Sequence, residues 1–289
     1  MTAVPTALAA ARAAGRLVVA CDVSPPRGPG LADLTRFRAL TRADFLCCAY
    51  LPGRAVRLEA AVMAFLLKRE LGVDAIVNLA TRDMNRLALS AHLLGIAALG
   101  LENVVVLRGD DFPDRDAGRV RAVHDTTPSE LIALIARLGE GRDFRDTALM
   151  APVSLCPGAT MDFSRDFTRE VRLAARKARA GARFFLTQSI YDDTLPERFA
   201  AAYRAATGAD LVAPVLWGVP VLAPGSLAFG AVPDAWRRDL GAGRPGAEIA
   251  LEFIHALRAR GVEAIYLIAP ILRGGERDYA AAGAVLAAL

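Results

Sequence analysis

Polar side chains recur in this chain directly behind short apolar runs. Asp22 follows the run at 17–21, Tyr50 closes 44–50, and Asn78 sits within 75–79. Arg108, Gly109 and Asp110 follow Val104-Val105-Val106-Leu107, Ser154 ends 147–154, and Thr187 and Gln188 end 183–188. Acids, amides and hydroxyls dominate this set, so the chemistry it offers is hydrogen-bond donation and acceptance, with Asp22 and Asp110 as candidate acids. Such a set suits a heterocyclic ligand and a cofactor that supplies the difficult chemistry. Lysine occurs only at Lys68 and Lys177, both in helical patterns, which argues against a Schiff-base mechanism. His92, His124 and His255 are isolated, and a zinc site needs clustered nitrogen and sulfur ligands, so no metal is expected. Cys21, Cys47, Cys48 and Cys156 show no C-x-x-C spacing, and no disulfide framework is expected.

These residues need rigid elements to aim them. Apolar, β-branched runs at 17–21, 44–50, 75–79, 104–107, 147–154, 183–188, 214–222 and 264–268 read as strands. Helical patterns fill the intervals at 31–40, 56–71, 84–98, 164–180, 195–207, 247–260 and 278–289, several closed by a glycine. A further helix opens at Thr127-Pro128-Ser129-Glu130, a capping box with proline at the first helical position. Eight strands alternating with eight helices predict a (βα)8 barrel, with residues 1–289 as one domain. A doubly wound sheet would carry G-x-G-x-x-G after its first strand, and that pattern is absent. In a barrel the strand C-termini build the active site. The long polar segments 111–126 and 223–246 leave from that face.

Composition narrows the class. The apolar share of 54% and the mean hydropathy of +0.32 suffice for a large core. No apolar run reaches a membrane span of about 18 residues, and the Ala-rich start lacks a secretory pattern, so a cytoplasmic location is expected. The net charge of +4 comes from scattered arginines without interleaved aromatics, which fits an anionic small molecule rather than nucleic acid or a membrane. Apolar helix surfaces on a barrel suit a homo-oligomer.

Four motifs in series are more specific. Ser24-Pro25-Pro26-Arg27, Asp83-x-Asn85-Arg86, Leu107-Arg108-Gly109-Asp110, and Lys177-x-x-x-Gly181-Ala182 followed by Phe185-x-Thr187-Gln188 resemble the methylenetetrahydrofolate reductase family, over about residues 17–285. The resemblance implies a (βα)8 barrel with FAD at its C-terminal face. NAD(P)H would reduce the flavin, and the flavin would reduce 5,10-methylenetetrahydrofolate to 5-methyltetrahydrofolate. It further implies that Asp22 stands where the family has a catalytic Glu that assists protonation of N10. Asp110 matches the acid beside flavin and pterin, and Gln188 the residue that hydrogen-bonds the folate. Leu107, Arg108, Gly109 and Lys177 match flavin-contacting positions. Three departures stand out: Asp22 for Glu, Ala49-Tyr50 for Thr-Tyr, and Asn78-Leu79-Ala80-Thr81 for His-Leu-Thr-Cys. Two of these, including Asn78, fall where the family holds its flavin. A flavin-free reductase with direct hydride transfer, the same reaction on a methanopterin-type carrier, and a non-catalytic pterin- or partner-binding relative therefore stand as alternatives.

Overall fold

Alternation decides which side chains meet. Successive strand residues point to opposite faces of a sheet, so a closed ring of strands sends every second side chain inward. The computed structural model describes residues 2–29 and 35–289. Its strands are β1 (Val18–Val23), β2 (Phe45–Cys48), β3 (Asp74–Ala80), β4 (Asn103–Leu107), β5 (Cys156–Met161), β6 (Phe184–Ser189), β7 (Val215–Pro220) and β8 (Ala264–Ile268). They pair in sequence order, all parallel, and β1 closes on β8. The expected (βα)8 barrel is the fold.

Helices α1 (Val4–Ala13), α2 (Ala60–Leu71), α3 (Arg86–Ala98), α4 (Pro128–Gly139), α5 (Phe167–Arg179), α6 (Leu195–Thr207), α7 (Asp234–Gly241), α8 (Gly246–Ala259) and α9 (Tyr279–Ala288) complete the description. Helix starts follow local chemistry. Thr127 and Glu130 form the reciprocal capping box at α4. Glu59 accepts from the amides of Ala61 and Val62, so α2 begins at 60 rather than 56.

The core has two layers. Between strands and helices lie Leu46, Leu79, Leu89, Leu93, Ile132, Phe185 and their neighbours. Inside the ring lie Val18, Ala20, Phe45, Cys47, Ile76, Val105, Phe184, Leu186 and Leu216, with Val4, Ala7 and Ala11 of α1 sealing the lower end. Helix α1 is fixed there by the amide of Val4 on Asn103 Oδ1 (3.0 Å) and by Asn103 Nδ2 on the carbonyl of Thr2 (3.1 Å). Its Ala-rich sequence carried no sign of that role.

Three expectations need correction, and one helix, α1, is additional to those expected. The fifth strand is Cys156–Met161, not 147–154. Asp143 instead gathers the 143–147 turn by accepting from the amides of Arg145 and Thr147, while the true strand contains Pro157 and Gly158, residues that strands disfavour. Ser154 therefore precedes β5 and belongs to the opposite end of the barrel. The segment 223–246 contains α7, and residues 4–13 form α1. Of the helix expected at 31–40, residues 31–34 lie outside the described residues and 35–40 are a 3-10 helix, Thr35–Leu40.

Gly158 is small because the Phe184 ring fills its side of the ring interior; a Cβ would sit 2.6 Å from Phe184 Cε2. Gly158→Ala is expected to cost about 1–3 kcal/mol of stability by overpacking a fully buried ring. Chemical denaturation checks this, and an unchanged midpoint would mean that the ring has room to move.

Candidate active site at the barrel mouth

The uppermost inward positions are polar. Asp22 on β1, Asn78 on β3, Thr160 on β5, Gln188 on β6 and Tyr266 on β8 line one hollow of about 190 Å³, together with Tyr50, Leu107, Thr187, Phe229, Ile268 and Arg277. A larger cleft of about 520 Å³ runs between α1, α6 and the loops before β7 and β8, at the strand N-termini. That end of a barrel serves stability rather than chemistry.

Asp22 is buried and held from two sides. Tyr266 donates to Asp22 Oδ1 at 2.8 Å, and Arg277 Nη2 lies 2.6 Å from Oδ2. The Arg277 contact lacks hydrogen-bond geometry, so Oδ2 is a buried acceptor without a hydrogen-bond partner. Arg277 is itself fixed by Ser24 Oγ (3.1 Å) and the carbonyl of Ala269 (3.2 Å). Burial first, and then the Asp22 charge, push the Tyr266 phenol well above its usual range, so it remains a donor at neutral pH.

Gln188 reaches the same hollow through an irregularity. The β6–β7 register shifts between Leu186 and Ser189, and Thr187 Oγ1 bridges the gap, accepting from the amide of Gly218 (2.7 Å) and donating to the carbonyl of Gln188 (2.8 Å). The bulge needs glycine opposite it, because a Cβ on Gly218 would meet the Gln188 carbonyl carbon at 2.7 Å.

The remaining expected residues divide. Leu107 lines the hollow. Asn78 lines it too, but its amide nitrogen is engaged with the Cys48 carbonyl (3.0 Å) and Cys47 Sγ (3.3 Å). Gly109 takes φ +86, with a hypothetical Cβ 3.1 Å from Arg82 Cβ, so the chain turns there only because no side chain is present. Arg108 points outward and pairs with Asp111 at 2.9 Å. The Asp110 side chain is exposed and outside the lining of the hollow, although its backbone is on the same face. Lys177 lies behind the sheet on α5, donating to the Thr160 carbonyl (2.5 Å) beside Glu170 (3.4 Å), and burial lowers its basicity.

Tyr266, Arg277 and Arg82 escaped the sequence reading. Tyr266 looked like one more apolar strand residue; its inward register was the available sign. Arg277 stands in a loop with no motif. Arg82 is buried, grips Asp83 with two bonds (2.6 and 2.8 Å), donates to the Asp110 carbonyl (2.5 Å) and stacks 4.2 Å over Phe112. Its own carbonyl accepts from Val123 (2.8 Å), so one residue ties both ends of the 111–123 excursion. Asp83 in turn adjoins Tyr50, whose phenol is raised by burial and by that carboxylate. Asn85 caps α3 by accepting from Ala88 at 2.9 Å.

A flavin dinucleotide fits this arrangement poorly. Of the cations expected to contact the cofactor, Lys177 is spent on a backbone carbonyl and Arg108 on Asp111.

The fold and mouth define a (βα)8 barrel with a small polar ligand site at its C-terminal face. The family model for methylenetetrahydrofolate reductase matches residues 8–222, and the chain belongs to that family. Among solved structures, a protein from Clostridium thermocellum is similar with a TM-score of 0.64 and 13% identity, covering 95% of this chain and 96% of its own. It is described as an uncharacterized protein that binds two copies of 5-methyl-5,6,7,8-tetrahydrofolic acid, and at this identity the likeness shows the fold alone. No functionally curated protein matches the chain.

Removing Arg82 breaks a buried ion pair, which costs about 3–5 kcal/mol. Arg82→Met is expected to lower the melting temperature and to speed tryptic cleavage within 115–121; an unchanged cleavage rate would mean that other contacts hold the excursion.

Proposed function

We propose that this chain reduces the one-carbon unit of a methylene-tetrahydropterin, converting 5,10-methylenetetrahydrofolate to 5-methyltetrahydrofolate with NAD(P)H as reductant. The observation that carries this reading is Asp22: a buried carboxylate clamped by Tyr266 and Arg277, in the same hollow as Gln188. Family membership supports the pterin, and so does the bound methyltetrahydrofolate in the Clostridium thermocellum protein.

The residues divide the work as follows. The Gln188 amide both donates and accepts, which matches the alternating edge of a pterin ring. Asp22 holds or moves the proton at the bridging nitrogen as the five-membered ring opens. Tyr266 and Arg277 keep that carboxylate from rotating, so its aim costs no reorganisation during reaction. Asp110 acts from the rim, through the charge it adds to the approach.

A flavin, when bound, would relay hydride from NAD(P)H. The direct route is favoured over the FAD route by a specific observation: Lys177 and Arg108 are turned to other partners. The same pocket chemistry would serve a methanopterin-type carrier.

The purified protein is expected to oxidise NADH or NADPH only when a methylene-tetrahydropterin is supplied. It is expected to show no visible flavin absorbance. Asp22→Asn should lower turnover by about 10²–10⁴-fold while leaving the affinity for 5-methyltetrahydrofolate, read by calorimetry, near the wild-type value. Yellow protein would restore the flavin route. Pterin binding without any turnover would identify a non-catalytic relative, and absence of pterin binding would end the proposal.

A further inference from the structure

Three arginines, Arg27, Arg36 and Arg57, gather on one side of the mouth, and among the described residues none of them is paired with an acid. The turn Ser24-Pro25-Pro26-Arg27 leaves β1 there, and Arg57, from the loop after β2, is bound to it. Arg57 Nη1 donates to the Pro25 carbonyl at 2.7 Å, its Nε to the Pro52 carbonyl at 3.2 Å, and the amide of Leu58 to the Pro26 carbonyl at 2.9 Å. Arg36 approaches from the 3-10 helix, its guanidinium 4.8 Å over the Phe37 ring and 5.5 Å over the Tyr279 ring. The Tyr279 hydroxyl accepts from the amide of Ser24 at 2.9 Å, so Arg36 rests against the same turn. Gly275, from the loop after β8, closes the edge; a Cβ there would lie 3.7 Å from Arg57 Nη2.

Neighbours on the same face behave differently. Arg82 holds Asp83, Arg108 holds Asp111, and Arg277 holds Asp22. Among the described residues, neither Arg27, Arg36 nor Arg57 forms an ion pair. Every hydrogen bond of the Arg57 guanidinium goes to a neutral carbonyl. Arg57 also lines a cavity of about 230 Å³ that shares Tyr50 with the hollow. The carboxylate lining that cavity, Glu59, is engaged instead by the first amides of α2 and by His92 at 3.3 Å. Burial, and then the charges of Arg27, Arg277 and Arg36, lower the basicity of Arg57. Like charges so arranged repel one another, and no described carboxylate pairs with any of the three.

We propose that Arg27, Arg36 and Arg57 form an anion subsite beside the hollow, which takes the carboxylates or phosphates of a ligand whose ring enters it. Planar guanidinium forks suit both groups. Two parts of the proposed reactants carry such charge: the glutamyl tail of a folate and the pyrophosphate of NAD(P)H. The inference rests on the proposed function for the identity of the ring, and adds where the charged remainder lies.

Equilibrium binding tests it without turnover. Calorimetry would compare wild type, Arg36→Gln and Arg36→Gln/Arg57→Gln for mono- and triglutamyl 5-methyltetrahydrofolate and for NADH and NADPH. Among the described residues the Arg36 side chain makes no hydrogen bond, so Arg36→Gln covers the case in which Arg57→Gln disturbs the turn. About tenfold weaker binding per lost arginine is expected for one of these ligands, with the wild-type affinity falling as salt is added. If the tail is the anion, the variants bind mono- and triglutamyl forms alike and the dinucleotides as before. If the pyrophosphate is the anion, dinucleotide binding weakens and glutamate number makes no difference. Wild-type affinities for every ligand in a folded double variant would overturn the subsite alone. A wild type that binds neither class of ligand would overturn the proposed function and the subsite with it.

Discussion

Asp22 and Tyr266 stand 244 positions apart in the chain and 2.8 Å apart in space. They meet only because β1 pairs with β8, with Ala20 opposite Tyr266. The candidate active site depends on that closure. A carboxylate placed inside an apolar ring is costly unless it is hydrogen-bonded and its charge is matched. The phenol of the last strand supplies the bond, and the guanidinium of the loop beyond it supplies the charge. Opening the seam between first and last strands would expose both layers of the core and leave Asp22 without its two clamps.

Much of the remaining mouth is organised by backbone chemistry. Arg82 sits under the excursion after β4 and spends its donors on Asp83 and on the Asp110 carbonyl. Gly109 makes this approach possible by lacking a side chain. The bulge at Thr187 does similar work across the ring, where a single hydroxyl replaces the ladder bonds that the register shift removes. In both places a polar atom that would otherwise be orphaned is satisfied by a neighbour, and at the bulge the residue so supported, Gln188, lines the hollow. The motif Leu107-Arg108-Gly109-Asp110 thus reads, in three dimensions, as one inward residue, one outward cation, a turn, and an acid on the rim.

The barrel was legible because its strands are continuous apolar runs separated by helical periodicity, and Asp22, Asn78 and Gln188 were legible because the runs end in polar residues, whereas Leu107 was marked only by the family resemblance. The fifth strand was not, since Pro157 and Gly158 argue locally against a strand and only the neighbours at Val104 and Phe184 make them one. Tyr266 and Arg277 were hidden for a different reason. Their significance lies in what they touch, and contact across the seam leaves no periodicity in either segment. Lys177 shows the converse: it matches a flavin-contacting position of the family, yet its ammonium is held by the Thr160 carbonyl behind the ring. A residue can help to shape a site by steadying the strand that carries the lining.

Helix α1 stoppers the lower end of the barrel, held by Asn103 and packed against Val18 and Ala20. With the floor shut, the chamber is a well rather than a tunnel. Whatever enters must leave by the opening through which it came, so the loops after the strands govern both directions of passage.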